Sequence, residues 1–125
     1  MSGNDGTVWH LRILEDDLGA AVLVRLEGRV YSATNGDLAQ VLDRFCAGDR
    51  RAMVLDLSAV DYINGQGLRL VQDAAARLRT ADRQLILFGL CPVVETAFEL
   101  SGTLAQVTVE CSREAALARA GFNES

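Results

Sequence analysis

Few side chains in this sequence could carry out chemistry. His10 is the single histidine, and it shares one face of a predicted strand with Arg12, so we expect a half-exposed side chain rather than a base or a ligand. Asp16 and Asp17 are adjacent carboxylates, but they fall in a predicted hairpin turn, where solvated residues are expected. No glycine-rich phosphate loop follows a strand. These features predict a protein that is not an enzyme and holds no metal or cofactor.

The three cysteines, Cys46, Cys91 and Cys111, are far apart in the sequence and form no C-x-x-C pair. A zinc site or a disulfide framework is therefore not predicted. We expect free thiols that are buried or half-buried. A redox role stays open for Cys91 and Cys111, because each follows a predicted strand, and a bridge would require Cα atoms within about 7 Å.

The most distinctive stretch covers residues 54–68 and has the sequence VLDLSAVDYINGQGL. It predicts a buried strand, a turn containing Asp61, an apolar plug made by Tyr62 and Ile63, and then a polar, glycine-rich helix start. A helix N-terminus presents unpaired N–H groups and a positive dipole end, which can receive an anion or the acceptor groups of a partner. Asn64 is the expected N-cap of that helix.

The remaining sequence alternates between short strands and amphipathic helices, which predicts parallel crossover connections. The expected class is α/β, with a mixed, mostly parallel sheet of about five strands, a leading antiparallel strand and about four helices. The expected strands are Val8–Leu14, Ala20–Leu26, Ala52–Leu57, Gln84–Leu90 and Ala105–Val109, and the expected helices are Thr34–Phe45, Gly65–Leu78, Pro92–Leu100 and Ser112–Ala120.

Several residues at helix ends have the types that terminate helices. Gly48 is expected to close the first helix in a left-handed conformation. Ser32 or Thr34 is expected to cap the start of that helix, and Ser112 to cap the last one.

The composition of the chain argues against further classes of function. The chain has 125 residues, 50% of them hydrophobic, and a net charge of −5. All twelve basic residues are arginine, with no cluster longer than Arg50 and Arg51. A nucleic-acid stripe or a polybasic membrane anchor is therefore not expected, and no apolar run reaches the roughly 18 residues of a membrane helix. We expect a soluble, cytoplasmic protein with one domain over residues 8–120, flanked by tails at 1–7 and 121–125.

The stretch 54–68 resembles the signature of the STAS family, the domain of bacterial anti-sigma-factor antagonists. In that signature a VLDL-like strand precedes an apolar pair and then Asp-Ser-Ser-Gly-Leu or Asp-Ser-Thr-Gly-Leu. The matching residues here are Val54–Leu57, Tyr62, Ile63, Gly67 and Leu68, and weaker similarity extends over Val24–Gly28, Leu90–Val93 and Phe98–Thr103. The resemblance covers about Val8 to Ala120. It implies a STAS-like fold and reversible protein binding in a regulatory switch.

Two departures from the family pattern bear on function. The family's Asp falls on Asn64, its first Ser on Gly65 and its phosphoacceptor on Gln66. Gln66 has no hydroxyl and no charge, so the resemblance predicts a protein held in a state like the unphosphorylated, binding-competent one. In the loop implied to assist docking, Arg29 and Tyr31 stand where the family has acids. That change adds an aromatic anchor for a different partner, or Tyr31 covers the edge of the core.

The resemblance implies an anti-sigma factor with a serine-kinase fold as the partner. The alternative is a scaffold subunit that binds the ATPase of a lipid transporter or assembles with other STAS proteins in a stress-sensing complex. Nucleotide binding at the helix start and an enzymatic pocket have little support, and a homodimer stays open. Gln66→Glu or Leu68→Asp is expected to abolish binding with the fold intact. The expected docking residues are Asn64, Gly65, Gln66, Gly67, Leu68, Arg69, Gln72, Asp73, Arg29 and Tyr31.

Overall fold

The computed structural model describes residues 11–121 as a single alternation of strands and helices. In chain order these are β1 (Arg12–Asp17), β2 (Ala21–Val30), α1 (Asn35–Ala47), β3 (Ala52–Ile63), α2 (Gly65–Thr80), β4 (Gln84–Phe88), α3 (Pro92–Leu100), a 3-10 turn (Thr103–Gln106), β5 (Thr108–Glu110) and α4 (Arg113–Arg119). Within this part of the chain the strands form one five-stranded sheet in the order β1-β2-β3-β4-β5. β1 pairs antiparallel with β2, and the other neighbours pair in parallel. The predicted fold class is confirmed.

His10 and the two predicted tails lie outside the described residues, except for Gly121 of the C-terminal tail. None of the helices between residues 11 and 121 combines the length and the apolar character that crossing a bilayer requires.

The sheet buries apolar side chains on both faces, because alternate residues of a strand point in opposite directions. One face packs against α1, α2 and α3 and forms the larger core, in which Phe98 of α3 is fully buried. The other face packs against α4. That smaller cluster consists of Leu23, Val54, Ile86, Phe88, Ala116 and Leu117.

β3 is twice as long as predicted, because it continues from Leu57 through the expected turn to Ile63. The Asp56 carboxylate accepts hydrogen bonds from the Ser58 N–H at 2.9 Å and from the Ser58 hydroxyl at 2.6 Å. This local bond accompanies a shift of register against β2, so the strand passes through an irregularity instead of ending. Asp61 and Tyr62, expected in a turn and a plug, are strand residues.

β2 also runs further than predicted. It ends at Val30 rather than Leu26, and a second register shift lies between Gly28 and Arg29. The expected loop therefore begins at Tyr31. As a result, Arg29 pairs with Tyr62 and Val30 pairs with Ile63 at the end of the sheet.

The predicted helix ends are confirmed in part. The Ser112 hydroxyl accepts a hydrogen bond from the Ala115 N–H at 3.1 Å and caps α4. The left-handed cap at Gly48 is wrong, because this residue has φ −86°. Thr34 occupies the N-cap position of α1, as predicted, but its hydroxyl makes no capping bond to that helix.

The last strand begins later than expected. β5 covers Thr108–Glu110 rather than Ala105–Val109, because the chain forms a 3-10 turn after the left-handed Gly102. The three cysteines are free, as predicted, although Cys111 is exposed rather than buried. Burial raises the pKa of the Cys46 thiol, so this side chain is a poor nucleophile.

Candidate docking site

β2 and β3 end side by side, and this end of the sheet leads directly into α2. The buried side chains of Val30 and Ile63 face the start of the helix. The Asn64 N–H donates to the Val30 carbonyl at 2.9 Å and ties the two strands to the helix start. We call the surface formed by residues 29–31 and 62–69 the tip.

Asn64 caps α2, as the sequence predicted. Its backbone is extended, with φ −90° and ψ 177°, and its Oδ1 accepts a hydrogen bond from the Gly67 N–H at 2.9 Å. The next two residues, Gly65 and Gln66, are exposed, and the first turn contains no acidic residue. The positive end of the helix therefore faces solvent without a carboxylate of its own.

Gly67 and Leu68 face the core rather than a partner. A Cβ atom on Gly67 would lie 2.6 Å from Val30 Cγ1 and 2.9 Å from Ile63 Cγ1, so the helix approaches the strands too closely for a larger residue. Leu68 is only 6% exposed and belongs to the larger core. Its prediction as a docking residue is wrong, because Leu68→Asp would bury an unpaired charge and would not leave the fold intact.

The exposed side of α2 carries three of the predicted docking residues, Gln66, Arg69 and Asp73. Gln72 is half-buried at the side of this surface, where its Oε1 accepts a hydrogen bond from the Thr103 hydroxyl at 3.4 Å. The structure thus places a neutral amide and a guanidinium closest to the helix start.

Arg29 lies between two aromatic rings. Its guanidinium carbon is 5.3 Å from the centroid of the Tyr62 ring and 5.7 Å from that of Tyr31. Both distances allow a cation–π attraction, which restricts the side chain in a position beside the rings. Arg29 therefore lies beside Tyr62, at the end of β3 that leads into α2.

The loop after β2 is fixed by one buried hydroxyl. Thr34 is 2% exposed, and its Oγ1 accepts from the Tyr31 N–H at 3.1 Å while donating to the Arg29 carbonyl. The Tyr31 carbonyl in turn accepts from the N–H groups of Thr34 and Asn35 at 2.9 and 2.8 Å. Tyr31 is half-buried, so it both covers the edge of the core and supports Arg29.

Sequence reasoning missed three exposed apolar residues. Tyr62, predicted as part of a buried plug, is 38% exposed. On α3, Val93 and Leu100 are 60% and 84% exposed, because they lie on the edge of the helix away from the buried Val94 and Phe98. The alternation along β3 could have indicated Tyr62, since adjacent strand residues point to opposite faces. No signal in the sequence separates Leu100 from the core residues of α3.

The chemistry available at the helix start is limited to binding. Residues 63–69 contain no hydroxyl, thiol, imidazole or carboxylate. They offer backbone N–H groups, the amide of Gln66 and the guanidinium of Arg69. Such groups form hydrogen bonds and charge-assisted contacts, but they cannot accept a phosphoryl group.

Comparison with protein families matches residues 13–116 to the STAS domain. Among curated proteins, the chain is 38% identical over 109 residues to "Putative anti-sigma factor antagonist BtrV" of Bordetella bronchiseptica. The alignment covers 86% of this chain and 93% of that protein.

Two solved structures illustrate the similarity of fold. An anti-sigma factor antagonist from Mycobacterium paratuberculosis superposes with a TM-score of 0.78 at 21% identity, covering 89% of this chain and 94% of that one. The anti-sigma factor antagonist SpoIIAA in its unphosphorylated form gives a TM-score of 0.72 at 17% identity, covering 90% of this chain and all of the other. At these identities the superpositions show a shared fold.

Proposed function

Because the chain belongs to the STAS domain family, we propose that it is a non-enzymatic regulatory module, an anti-sigma factor antagonist that cannot be phosphorylated at the usual position. Its partner in this proposal is an anti-sigma factor with a serine-kinase fold, in the cytoplasm. The name of the curated relative supports the role, and the extent of that match supports its transfer to this chain.

Gln66 is the observation that carries the proposal. It is exposed at the second helical residue of α2. The resemblance to the family signature assigns the phosphoacceptor to this position. An added phosphate would carry about −1.5 to −2 charges and change the local field, whereas the amide stays neutral. The docking surface therefore keeps one charge state. The exposed docking residues are Gly65, Gln66, Arg69, Asp73 and Arg29, with Asn64, Gln72 and Tyr31 half-buried beside them.

The same missing hydroxyl favours a second candidate function. A STAS subunit that acts as a permanent scaffold has no need of a phosphoacceptor, so the chain could serve a transporter ATPase or a stress-sensing complex. The two candidates share the fold and the docking surface, and they differ in the class of protein that binds.

A binding panel separates these candidates. Serine-kinase-fold proteins and transporter ATPases from the source organism are purified and titrated against the full chain and against Gln66→Ser, with and without ATP. We expect a kinase-fold protein to bind the unchanged chain equally with and without ATP. With the Gln66→Ser variant, ATP should produce a phosphate mass shift on residue 66 and release.

The matched control is Gln40→Ser, an exposed position on α1. It should show neither the mass shift nor the release. Stoichiometric phosphorylation of the unchanged chain by the partner would refute the proposal, and exclusive binding to a transporter ATPase would favour the scaffold role.

A further inference from the structure

The twelve arginines of this chain are unevenly neutralised. Two of them, Arg79 and Arg83, donate to backbone carbonyls and pair with no carboxylate of the described residues. Six pair with carboxylates: Arg12, Arg25, Arg44, Arg50, Arg77 and Arg119. Within residues 11–121, four guanidinium groups make neither kind of bond: those of Arg29, Arg51, Arg69 and Arg113.

Two of these four arginines lie on the tip, whose own residues include no acid, although the exposed Asp61 and Asp73 flank it along the chain. The segments 28–36 and 62–72 hold Arg29 and Arg69 but not one Asp or Glu, although acidic residues outnumber basic ones by 17 to 12 in the whole chain. The exposed N-terminus of α2 adds a partial positive charge at the same place. The tip is therefore a locally positive surface on an acidic protein.

The side chain of Arg29 is already restricted before a ligand binds. The rings of Tyr31 and Tyr62 restrict its side chain, so less conformational entropy is lost when the guanidinium binds. A restricted guanidinium can bind a carboxylate through two parallel hydrogen bonds. The exposed part of the Tyr62 ring offers an apolar contact beside it, and Arg and Tyr are enriched among residues that dominate binding energy.

We propose that the tip recognises an acidic surface of a protein partner. Arg29 and Arg69 bind Asp or Glu side chains of that partner, and the Tyr62 ring contacts an apolar side chain between them. This inference rests on the proposed function, because it takes the tip as the docking site. It adds the chemistry that the partner must present.

A peptide titration tests the charge requirement without any partner protein. The full chain, labelled with nitrogen-15, is titrated with a blocked peptide of Glu and Leu residues and with a matched peptide in which Gln replaces every Glu. We expect the acidic peptide to shift the backbone amide signals of residues 29–31 and 62–69. Equal shifts with the neutral peptide, or shifts centred elsewhere, would overturn the proposal.

Two charge reversals provide the matched comparison. Arg29→Glu and Arg51→Glu change the net charge equally, and both arginines are exposed and lack an ion pair among the described residues, but Arg51 precedes the opposite end of β3. We expect Arg29→Glu to weaken peptide binding at least about tenfold, and Arg51→Glu to change it less than about twofold. Similar losses in the two variants would reduce the effect to net charge and contradict the proposal.

Two further measurements define the outcome. Vesicles rich in phosphatidylglycerol are sedimented with both variants, and retention of the chain that depends on Arg29 would assign the tip to a membrane surface instead. Any protein that binds in the panel described above is titrated with the same variants, with the same tenfold difference expected. Failure of every kinase-fold protein to bind would refute the proposed function. The peptide titration would still test the present inference independently, because it needs no partner protein.

Discussion

Gln66 is exposed at the start of α2, so a negative charge introduced at this position should affect stability and binding in opposite directions. An acidic side chain in the first helical turn interacts favourably with the helix dipole. We therefore expect Gln66→Glu to raise the free energy of unfolding by about 0.3–1 kcal/mol, measured by urea denaturation. The same carboxylate would repel an acidic partner, so the affinity measured by titration should fall.

Gln40→Glu is the control for this residue. Gln40 is exposed in the middle of α1, away from the helix ends, and the change adds the same charge. It should alter stability by less than about 0.5 kcal/mol and leave binding unchanged. A Gln66→Glu variant that loses stability and affinity together would contradict the dipole argument.

Among individual residues, the sequence predicted the helix cap and the missing hydroxyl correctly. It assigned the wrong burial to two residues. Asn64 could be predicted because capping depends on local backbone geometry. Leu68 and Tyr62 could not, because their burial depends on where β3 ends. Since β3 continues to Ile63, the pair Tyr62 and Ile63 must point to opposite faces, and only Ile63 is covered by the helix.

The start of α2 contains two glycines with contrasting surroundings. A Cβ atom on Gly65 would meet no atom within 4 Å, whereas one on Gly67 would clash with Val30 and Ile63. Both residues have helical geometry, where alanine is favoured over glycine by up to about 1 kcal/mol. We expect Gly65→Ala to stabilise the protein, and Gly67→Ala to destabilise it by about 1–3 kcal/mol through overpacking.

Thermal unfolding followed by circular dichroism measures both changes. Because the neighbours of Gly67 are branched side chains of the core, the strain should also displace the strand ends and weaken binding at the tip. Equal stability of the two variants would show that the helix can move away from the strands without cost.

The helices were easier to predict than the strands. α2 was expected over Gly65–Leu78 and extends to Thr80, because the apolar spacing defines its buried side. β3 was expected to end at Leu57 because polar residues follow. The two bonds from Ser58 to the Asp56 carboxylate satisfy both side chains inside the strand, and such a contact is not visible in apolar periodicity.

At the scale of the whole molecule, we expect low pH to weaken an ion pair that joins the β1–β2 hairpin to the residues preceding β3. The Arg50 guanidinium, together with the Gly19 N–H, lowers the pKa of Asp17 from 3.8 to about 2. Because the folded pKa is the lower one, this ion pair contributes stability above about pH 4, and the contribution is lost as the pH falls toward 2. We expect Asp17→Asn to flatten the decrease of the melting temperature between pH 4 and pH 2.

Asp16→Asn supplies the comparison, because Asp16 is exposed on the same strand and its carboxylate makes no ion pair or hydrogen bond within residues 11–121. Its melting temperature should follow the acid dependence of the unchanged protein. An identical pH profile for Asp16→Asn and Asp17→Asn would exclude the Arg50 pair as the source of the effect.

The order of elements and the mixed sheet could be predicted because they follow from the alternation of patterns along the chain. The charge distribution could not, because it depends on which arginines meet carboxylates in space. Arg25, for example, pairs across β2 and β3 with Asp56 and is neutralised, whereas Arg29, four residues later, is not. The replacement of the family's acids by Arg29 and Tyr31 already indicated a change of sign at the tip, whereas the pairing of the other arginines is visible only in the folded structure.

The two register shifts between β2 and β3 also constrain how this protein can change length. From the pair of Arg25 and Asp56 to the pair of Arg29 and Tyr62, β2 advances four residues while β3 advances six. Each shift inserts one extra residue into β3, and Leu57, Val60 and Ile63, spaced three apart, all lie in the larger core. Loss of one residue at either shift would therefore remove one bulge and leave Tyr62 beside Arg29 and Ile63 against Gly67. Homologous chains that vary in length at this point should differ by single residues, with one bulge gained or lost for each.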